Sequence, residues 1–381
     1  MIASIIAALG IANVLGGSLH RLGFPLPSGV RIGHVDGLRG YLAMFVMVHH
    51  FIITLGCRTG RPWGAPDLNF YNQFGKSSVA LFFMATGLLF YAQISKGFLS
   101  INWMKFYNGR LFRILPMLLV STLLCALIVG LEYGAVPDGH FPVEIIQWMY
   151  GNQVPLLHVP NSNLVNASVF WSIRLEWTFY FAVFPAFSIL KPFFPGRGIL
   201  FLLSSLVLVF IMGVARHTLP LFILGMMAGE FVAMPRLRAL LASRWNSVPV
   251  LVALIGEMAW FYVPYDDIGA MLLLAFVFSS IACGNNIFGL LSARGACVLG
   301  EISFSIYVLH GIVLYVVSHY FPIERLPALA LWGMVVVVVL LSAGAFRAVE
   351  RPCIGLGRDF YSVMGRWRVR LFGGGAAAQA N

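Results

Sequence analysis

The stretch HVDGLRGYLAMFVMVHHFIITLG, residues 34–56, combines a long apolar run with an acid and a base near its start and two histidines inside it. A helix needs about 20 mainly apolar residues to cross a bilayer, so this stretch predicts a transmembrane helix. Ionisable side chains inside a bilayer are costly, and they usually mark a functional site or a buried pair. The two histidines therefore need an explanation.

The composition of the whole chain is that of an integral membrane protein. Of its 381 residues, 60% are hydrophobic and 10% are charged, whereas about 25% of the residues of a soluble domain are charged. The fold class predicted is therefore all-α, a polytopic helical bundle of about ten transmembrane helices. The predicted spans are 38–55, 77–95, 111–131, 168–190, 198–215, 218–234, 247–264, 268–284, 296–317 and 326–346.

The distribution of Lys and Arg predicts the orientation, because basic residues are retained on the cytoplasmic side. With both termini in the cytoplasm, only six of the 25 basic residues fall outside. A basic inner rim that faces anionic lipid headgroups also explains the net charge of +11, so no nucleic-acid partner is predicted. The six outer residues are Arg58, Arg61, Lys76, Arg174, Arg216 and Arg325.

Three regions are predicted: an apolar N-terminal extension over 1–31, a membrane domain over 32–353 and a basic cytoplasmic tail over 354–381. Residues 1–16 lack the positive start of a signal peptide and are short for a span. Either they rest in the membrane interface, or the true start lies downstream.

The longest polar connection, 132–167, is predicted to form an ordered outer cap. The five cysteines have no metal-ligand spacing, so neither a metal site nor a disulfide is predicted.

Arg39 and His50 share one face of the first helix. Eleven residues turn an ideal helix by 1100°, about 20° past three full turns, and rise about 16 Å. Arg39 would lie at the cytoplasmic rim and His50 about halfway across the bilayer, while His49 points roughly 100° away and is expected to be packed. For this pair alone, a lipid-bound arginine and a hydrogen-bonded core histidine are also a sufficient explanation.

GRLFRILP, residues 109–116, places Arg110 and Arg113 on one helical face at the inner end of the third span. Guanidinium groups bind phosphate oxygens at two points. With Arg39 these arginines would form a cationic mouth at the inner surface. Ordinary anchoring to lipid headgroups is the alternative.

Two further spans carry polar faces. FWSIRLEWTFYFAVFP, residues 170–185, repeats Ser172, Glu176 and Tyr180 at intervals of four, and this stripe must face protein or water. Arg174 and Glu176 diverge on a helix and need separate partners. GEISFSIYVLHGIV, residues 300–313, aligns three polar side chains on one face: Ser303, Tyr307 and His310.

Together these features predict a pocket that is reached from the cytoplasm, with arginines at its mouth and a base at depth. An unperturbed imidazole titrates near pH 6.5 and can accept a proton at neutral pH. The mouth suits a phosphorylated carrier, whose extended pantetheine arm could bring a thioester from Arg39 to His50. Such a pocket would be an acyl-transfer centre.

DGLRGYLAMFVMVHH resembles the first-helix pattern of the acyltransferase 3 family of integral membrane proteins, with its Arg-x10-His pair at Arg39 and His50. ALFFMATGLLFY is similar to the second-span pattern of that family, except that Thr86 replaces a serine. GRLFRILP resembles its Arg-x-x-Arg motif. Three later segments also resemble family motifs in family order: WSIRLEWTFYFAVFP, LGEISFSIYVLH and VERPCIGLGR.

The resemblance implies transfer of an acyl group, usually acetyl from acetyl-CoA, to a hydroxyl of a sugar or another extracytoplasmic acceptor. By matched position, Arg39 and His50 would be the functional pair, and Arg110 and Arg113 would help to hold the CoA. We expect His50 to act as general base, with Arg39 orienting it or stabilising charge on the thioester oxygen.

The remaining site residues are assigned from the polar helix faces described above and from the same family resemblance. Glu176 and His310 occupy matched positions and are expected to be catalytic, and three hydroxyls are candidate acyl relays: Ser172, Tyr180 and Ser303. Tyr41 and His49 stand where smaller or apolar residues are commoner in the family, so they would narrow the pocket. The predicted substrate-binding residues are Trp171, Ser172, Tyr180, Ser303 and Tyr307.

The expected location is a bacterial inner membrane, with acyl-CoA as a co-substrate rather than a permanently bound cofactor. The expected partners are a carbohydrate or lipid-linked glycan acceptor and the bilayer itself. Alternatives are a proton-coupled secondary transporter, a non-catalytic sensor or lipid-binding scaffold, and, within the family, a succinyl or macrolide acyltransferase. Transporter folds commonly contain internal repeats, and none is visible in the sequence.

Overall fold

The computed structural model describes residues 1–26, 33–213, 217–261 and 267–372, with the backbone alone for 366–372. Within these ranges the chain is helical and has no β-strand. The α-helices are α1 Ile2–Arg21, α2 Gly33–Arg58, α3 Asn69–Ile94, α4 Trp103–Tyr133, α5 Phe141–Tyr150, α6 Trp171–Thr178, α7 Phe184–Leu190, α8 Gly198–Met212, α9 Leu219–Val232, α10 Pro235–Ala242, α11 Ser247–Trp260, α12 Ile268–Cys283, α13 Arg294–Glu301, α14 Ser303–Tyr320, α15 Pro327–Ala345 and α16 Arg351–Phe372.

In the described part of the chain, seven helical segments are long and apolar enough to cross a membrane. An eighth arises if α9 and α10, which bend by 107° at their junction, form one broken span, and α8 and α12 are shorter apolar helices. The predicted all-α polytopic bundle is therefore confirmed. The count of ten spans and the cytoplasmic position of both termini stay predictions.

The N-terminal helix is longer than the apolar stretch 1–16. Helix α1 has 20 residues and meets the length and hydropathy of a span, because the helix continues past residue 16 to Arg21. It packs against α13 and α15.

Several basic residues on which the predicted orientation rests lie outside the described residues or have undescribed side chains: Arg31, Arg216, Arg366, Arg368 and Arg370.

The predicted span 296–317 is two helices, because α13 ends at Glu301 and α14 begins at Ser303. The predicted span 168–190 is largely one continuous helix from Trp171, but it contains a π-helical turn over Phe179–Val183. A second π-helical turn, Phe346–Glu350, joins α15 to α16. Such turns occur often at functional sites, because they shift the register of side chains along a helix.

Helix α2 occupies the centre of the bundle, where it packs against α3, α13 and α14. Helix α3 packs in turn against α9, with glycines at the contact. A Cβ added at Gly87 would collide with the Phe222 carbonyl, and one at Gly225 would collide with the Met84 backbone. Small residues allow helix backbones in a membrane to approach closely, so these glycines determine the distance between α3 and α9.

Glu230 and Glu257 are acidic residues in the otherwise apolar helices α9 and α11, and each has a hydroxyl partner. Glu230 accepts a hydrogen bond from Tyr91, and both oxygens of the fully buried Glu257 lie 2.9 Å from the Ser77 hydroxyl. A buried carboxyl group needs such partners. Both acids therefore connect α3 to its neighbours, α9 and α11.

The first part of the predicted cytoplasmic tail is helical and docked on the membrane domain. Helix α16 packs against α4. Asn108 Nδ2 donates to the Gly357 carbonyl at 2.5 Å, and Asn102 Nδ2 donates to the Tyr361 hydroxyl at 2.7 Å.

The α3–α9 contact predicts that Gly225→Ala destabilises the protein, because the new methyl group meets the Met84 backbone. Overpacking of this kind costs about 1–3 kcal/mol, which will lower the melting temperature of the purified protein in detergent. Gly256→Ala is the matched control, since a Cβ at Gly256 has no atom within 4 Å. Equal melting temperatures for the two variants would contradict the proposed close packing.

Candidate active site

A cavity of about 290 Å³ lies between α2, α3, α4, α6 and α14. Eight of the eleven predicted site residues line it: Arg39, Arg110, Arg113, Ser172, Glu176, Tyr180, Ser303 and Tyr307. His50, His310 and Trp171 do not line it. The structure thus brings residues from four separate predicted spans to one cavity.

Arg39 joins the first turns of α2 to the start of α14. Its Nη2 donates to the Ser303 hydroxyl at 3.3 Å, and its Nη1 lies 3.9 Å from Asp36 Oδ1. Asp36 also lines the cavity. A guanidinium group that neighbours a carboxylate and a hydroxyl is held in place, rather than free to reach lipid.

Arg113 is held by an acid to which the sequence analysis assigned no role. Its Nη2 lies 4.0 Å from Glu350 Oε1, and Glu350 Oε2 accepts a hydrogen bond from the Ser305 hydroxyl at 2.9 Å. Glu350 is fully buried in the second π-helical turn. The sequence contains a signal for Glu350, which is the acid of the VERPCIGLGR segment. Helical periodicity could not identify Arg113 as its partner.

Arg110 presents its guanidinium group to aromatic rings. It lies 5.1 Å from the ring centre of Phe90 and 5.9 Å from that of Tyr180, which is cation–π geometry. Its Nε is buried and has no hydrogen-bond partner among the described residues. A buried donor without a partner is unfavourable, and an anionic oxygen in the cavity would satisfy it.

The predicted polar stripe of the fourth span faces the cavity. Ser172, Glu176 and Tyr180 all line it, and the Tyr180 hydroxyl donates to Glu176. Arg174 instead lies 3.5 Å from Asn152 Oδ1, so the prediction of separate partners for Arg174 and Glu176 is confirmed. Trp171 is 38% exposed and lies outside the cavity.

One face of α14 meets polar partners along its length, as its spacing predicted. Ser303 accepts from Arg39, and the Tyr307 hydroxyl lies 2.8 Å from that of Ser172. Tyr307 also donates to the Val169 carbonyl at 3.0 Å.

Further along this face, the fully buried His310 contacts His50 of α2, with 3.1 Å between His310 Nε2 and His50 Nδ1. The Nδ1 atoms of His50 and His310 lie 3.0 Å from the carbonyls of Val46 and Ile306, respectively. A carbonyl only accepts hydrogen bonds, so both Nδ1 atoms carry the proton in the neutral rings.

With that assignment the single His50 Nδ1–H is shared between the Val46 carbonyl and His310 Nε2, and His50 Nε2 is unprotonated. This tautomer is the one that a general base needs. His49 is packed elsewhere, with its Nδ1 3.1 Å from the Tyr71 carbonyl.

The cavity ends short of the histidine pair, which differs from the predicted pocket. Tyr307 is the connecting side chain, because it lines the cavity and its ring centre lies 6.1 Å from that of His310. The group that contacts His50 is His310 rather than Arg39. Tyr41 does not line the cavity, whereas Thr86 does.

The connection 132–167, which was predicted to lie outside, packs into the helical bundle instead of remaining at its surface. The Asn166 backbone lies directly against Gly311, halfway along α14, where a Cβ would collide with it. Non-helical backbone at membrane depth is tolerated only where protein buries it or where it lines a cavity. Val165, Asn166 and Phe170 are accordingly buried, so this loop forms a wall beside His310.

Backbone strain is concentrated in the same loop. Asn161, Ala167 and Ser168 have φ values of 57–58°, which residues with a side chain rarely adopt. Asn166 Oδ1 accepts from Gln153 Nε2 at 2.7 Å and from the Ser168 N–H at 3.1 Å, while its buried Nδ2 has no partner among the described residues. Strained backbone and a buried donor without a partner both occur often at functional sites.

A histidine and two carboxylates tie this loop together; His158 and Asp138 are exposed, and Glu144 is buried. His158 Nε2 lies 3.0 Å from Asp138 Oδ2, and His158 Nδ1 lies 4.0 Å from Glu144 Oε1. The hydrogen bond to Asp138 raises the pKa of His158 above its ordinary value, and the same bond lowers the pKa of Asp138. The connection is therefore ordered, as expected, whereas its position outside the membrane stays a prediction. His158 holds its proton to a higher pH than a free histidine does.

Asp138→Ala is expected to lower the pKa of His158, because it removes the carboxylate that favours the imidazolium ion. The ion pair strengthens the loop at low pH and is lost as the pH rises through the raised pKa. An NMR titration of histidine-labelled protein in nanodiscs measures the shift. Asp359→Ala removes an exposed carboxylate from α16 and is the control, and a His158 pKa equal in all three proteins would contradict the pairing.

Within the described residues, no group of three or more His, Cys, Asp or Glu side chains could hold a metal ion. The model of the acyltransferase 3 family, described as an acyltransferase domain, matches residues 32–347. No curated protein and no solved structure matches the chain. Because the family match covers most of the chain and includes the cavity and the histidine pair, the chain belongs to the acyltransferase 3 family and is a multi-pass membrane acyltransferase.

Proposed function

We propose that this protein transfers an acyl group, most simply acetyl, from acyl-CoA to a hydroxyl of an extracytoplasmic sugar or glycan, in a bacterial inner membrane. The observation that carries the proposal is the polar face of α14. At its start Ser303 contacts the arginine cavity, and at its middle His310 contacts His50. One helix thus connects a site for an anionic donor to a site for a base.

The cavity suits the anionic end of an acyl-CoA. Arg39, Arg110 and Arg113 come from the ends of α2 and α4 that are predicted to be cytoplasmic, and the unpartnered Arg110 Nε points to an anionic ligand. Small-molecule sites usually occupy about 300–1,000 Å³. At about 290 Å³ this cavity would hold part of the acyl-CoA, with the remainder at its inner opening.

The histidine pair would bind and deprotonate the acceptor hydroxyl. His50 Nε2 would take the hydroxyl proton while the hydroxyl oxygen attacks the thioester carbonyl carbon. The carbon–sulfur bond then breaks, and the CoA thiolate takes that proton from His50 Nε2, which restores the base. His310 acts as a positioning residue, because its Nε2 accepts from His50 Nδ1 and fixes the required tautomer.

Tyr307 separates the two sites, so the acyl group must pass this side chain. The Tyr307 hydroxyl lies 2.8 Å from that of Ser172. Of the candidate relay hydroxyls Ser172, Tyr180 and Ser303, Ser172 is the one that contacts Tyr307, and this favours it as a relay. In that two-step route the Ser172 oxygen attacks the thioester and CoA leaves as the thiol, and the acceptor hydroxyl then attacks the Ser172 ester, which restores the serine. Arg39, which contacts Ser303 rather than His50, would stabilise charge on the thioester oxygen.

Inverted membrane vesicles test this function, because their outer face is the cytoplasmic face. Radiolabelled acetyl-CoA is added outside, and label in the envelope glycan is measured and identified by mass. His50→Ala should reduce transfer by about 10²–10⁴-fold, the usual contribution of a general base, at an unchanged amount of membrane protein. His319→Ala, at an exposed position of α14, should behave like the unmodified protein.

Two results would reject the proposal. Normal transfer by His50→Ala would remove the base from the mechanism. Accumulation of an unmodified solute, without labelled glycan, would identify the protein as a transporter instead.

A further inference from the structure

An aromatic side chain of the loop between α2 and α3 lies beside His50. Trp63 belongs to the connection between α2 and α3, and its ring centre lies 6.3 Å from that of His50, with the ring planes within 15° of parallel. Both side chains are partly exposed, whereas His310 on the other side of His50 is fully buried. Trp63 therefore covers the side of His50 that is open to an approaching molecule.

The loop holds Trp63 in place through contacts on both sides of it. The Arg61 N–H donates to the Gly56 carbonyl at 3.0 Å, so the chain folds back on the last turns of α2. The Arg61 side chain then forms an ion pair with Asp67. Trp63 lies between the two charged residues and packs on the hydrophobic core, so its indole is presented to His50 as a fixed surface.

An acceptor that reaches His50 has few routes. His50 Nδ1 is engaged by Val46 and His310, so a hydroxyl must approach Nε2. The arginine cavity ends at Tyr307 and does not include His50. The remaining approach is past Trp63, from the side predicted to be extracytoplasmic.

We propose that Trp63 is the acceptor-binding platform and that the acceptor is a saccharide, whose ring packs on the indole while one hydroxyl meets His50 Nε2. This inference rests on the proposed function. A pyranose ring has an apolar C–H face and hydroxyls around its edge, so a flat aromatic surface binds the face and leaves the edge free for hydrogen bonds. A small aliphatic alcohol or a lipid chain alone would not need a fixed flat surface beside the base.

The experiment uses the full-length protein in nanodiscs and one defined probe: the surface polysaccharide of the source cells, freed of acyl groups by mild alkali. Binding of this glycan is measured directly, and the KM values for glycan and for acetyl-CoA are measured by labelled transfer. Trp63→Ala should weaken glycan binding and raise the glycan KM by about tenfold, which corresponds to roughly 1.4 kcal/mol. The acetyl-CoA KM should change by less than about twofold, and Trp63→Phe should retain part of the binding.

Trp260→Ala is the matched control, because Trp260 is 84% exposed at the end of α11, and it should leave both KM values unchanged. Unaltered glycan binding in Trp63→Ala would overturn the inference, and so would an equal rise of both KM values, which a general structural defect would cause. Glycan binding that depends on Trp63 without any transfer by the unmodified protein would support the platform and reject the proposed reaction. Absence of glycan binding by the unmodified protein would overturn the platform.

Discussion

A polar side chain inside a bilayer needs a partner from the protein, because lipid offers none. This constraint organises the site around one face of α14, where Ser303 meets Arg39, Tyr307 meets Ser172, and His310 meets His50. Each contact joins α14 to another element of the bundle. The same contacts that allow these groups to be buried also place an arginine cavity and a base along a single helix.

The two halves of the site differ in their surroundings. The cavity gathers guanidinium groups, and its carboxylates and hydroxyls only partly satisfy them, since Arg110 Nε has no partner in the described chain. The histidine pair lies instead beside a loop that enters the membrane domain at Gly311 and carries strained residues. Tyr307 separates the two halves. A donor and an acceptor that approach from opposite sides would therefore meet at this side chain.

Helical periodicity predicted much of this arrangement. It placed Ser303, Tyr307 and His310 on one face and aligned Ser172, Glu176 and Tyr180 toward protein, because spacing along a helix determines direction. It could not predict partners, which depend on how helices pack: Glu350 was missed for this reason, and so was the contact of Arg39 with Ser303. The break between α13 and α14, the π-helical turns and the depth of the outer loop were also missed. They arise from tertiary contacts that interrupt a regular pattern.

The central claim is that the arginine cavity holds the acyl donor and that α14 leads from it to the base. A cryo-electron microscopy structure with a non-hydrolysable acetyl-CoA analogue tests it most directly. Phosphate density is expected at Arg39, Arg110 and Arg113, with the acetyl end at Tyr307 on the path to His50. An analogue bound away from these arginines, or one whose acetyl end points away from α14, would contradict it.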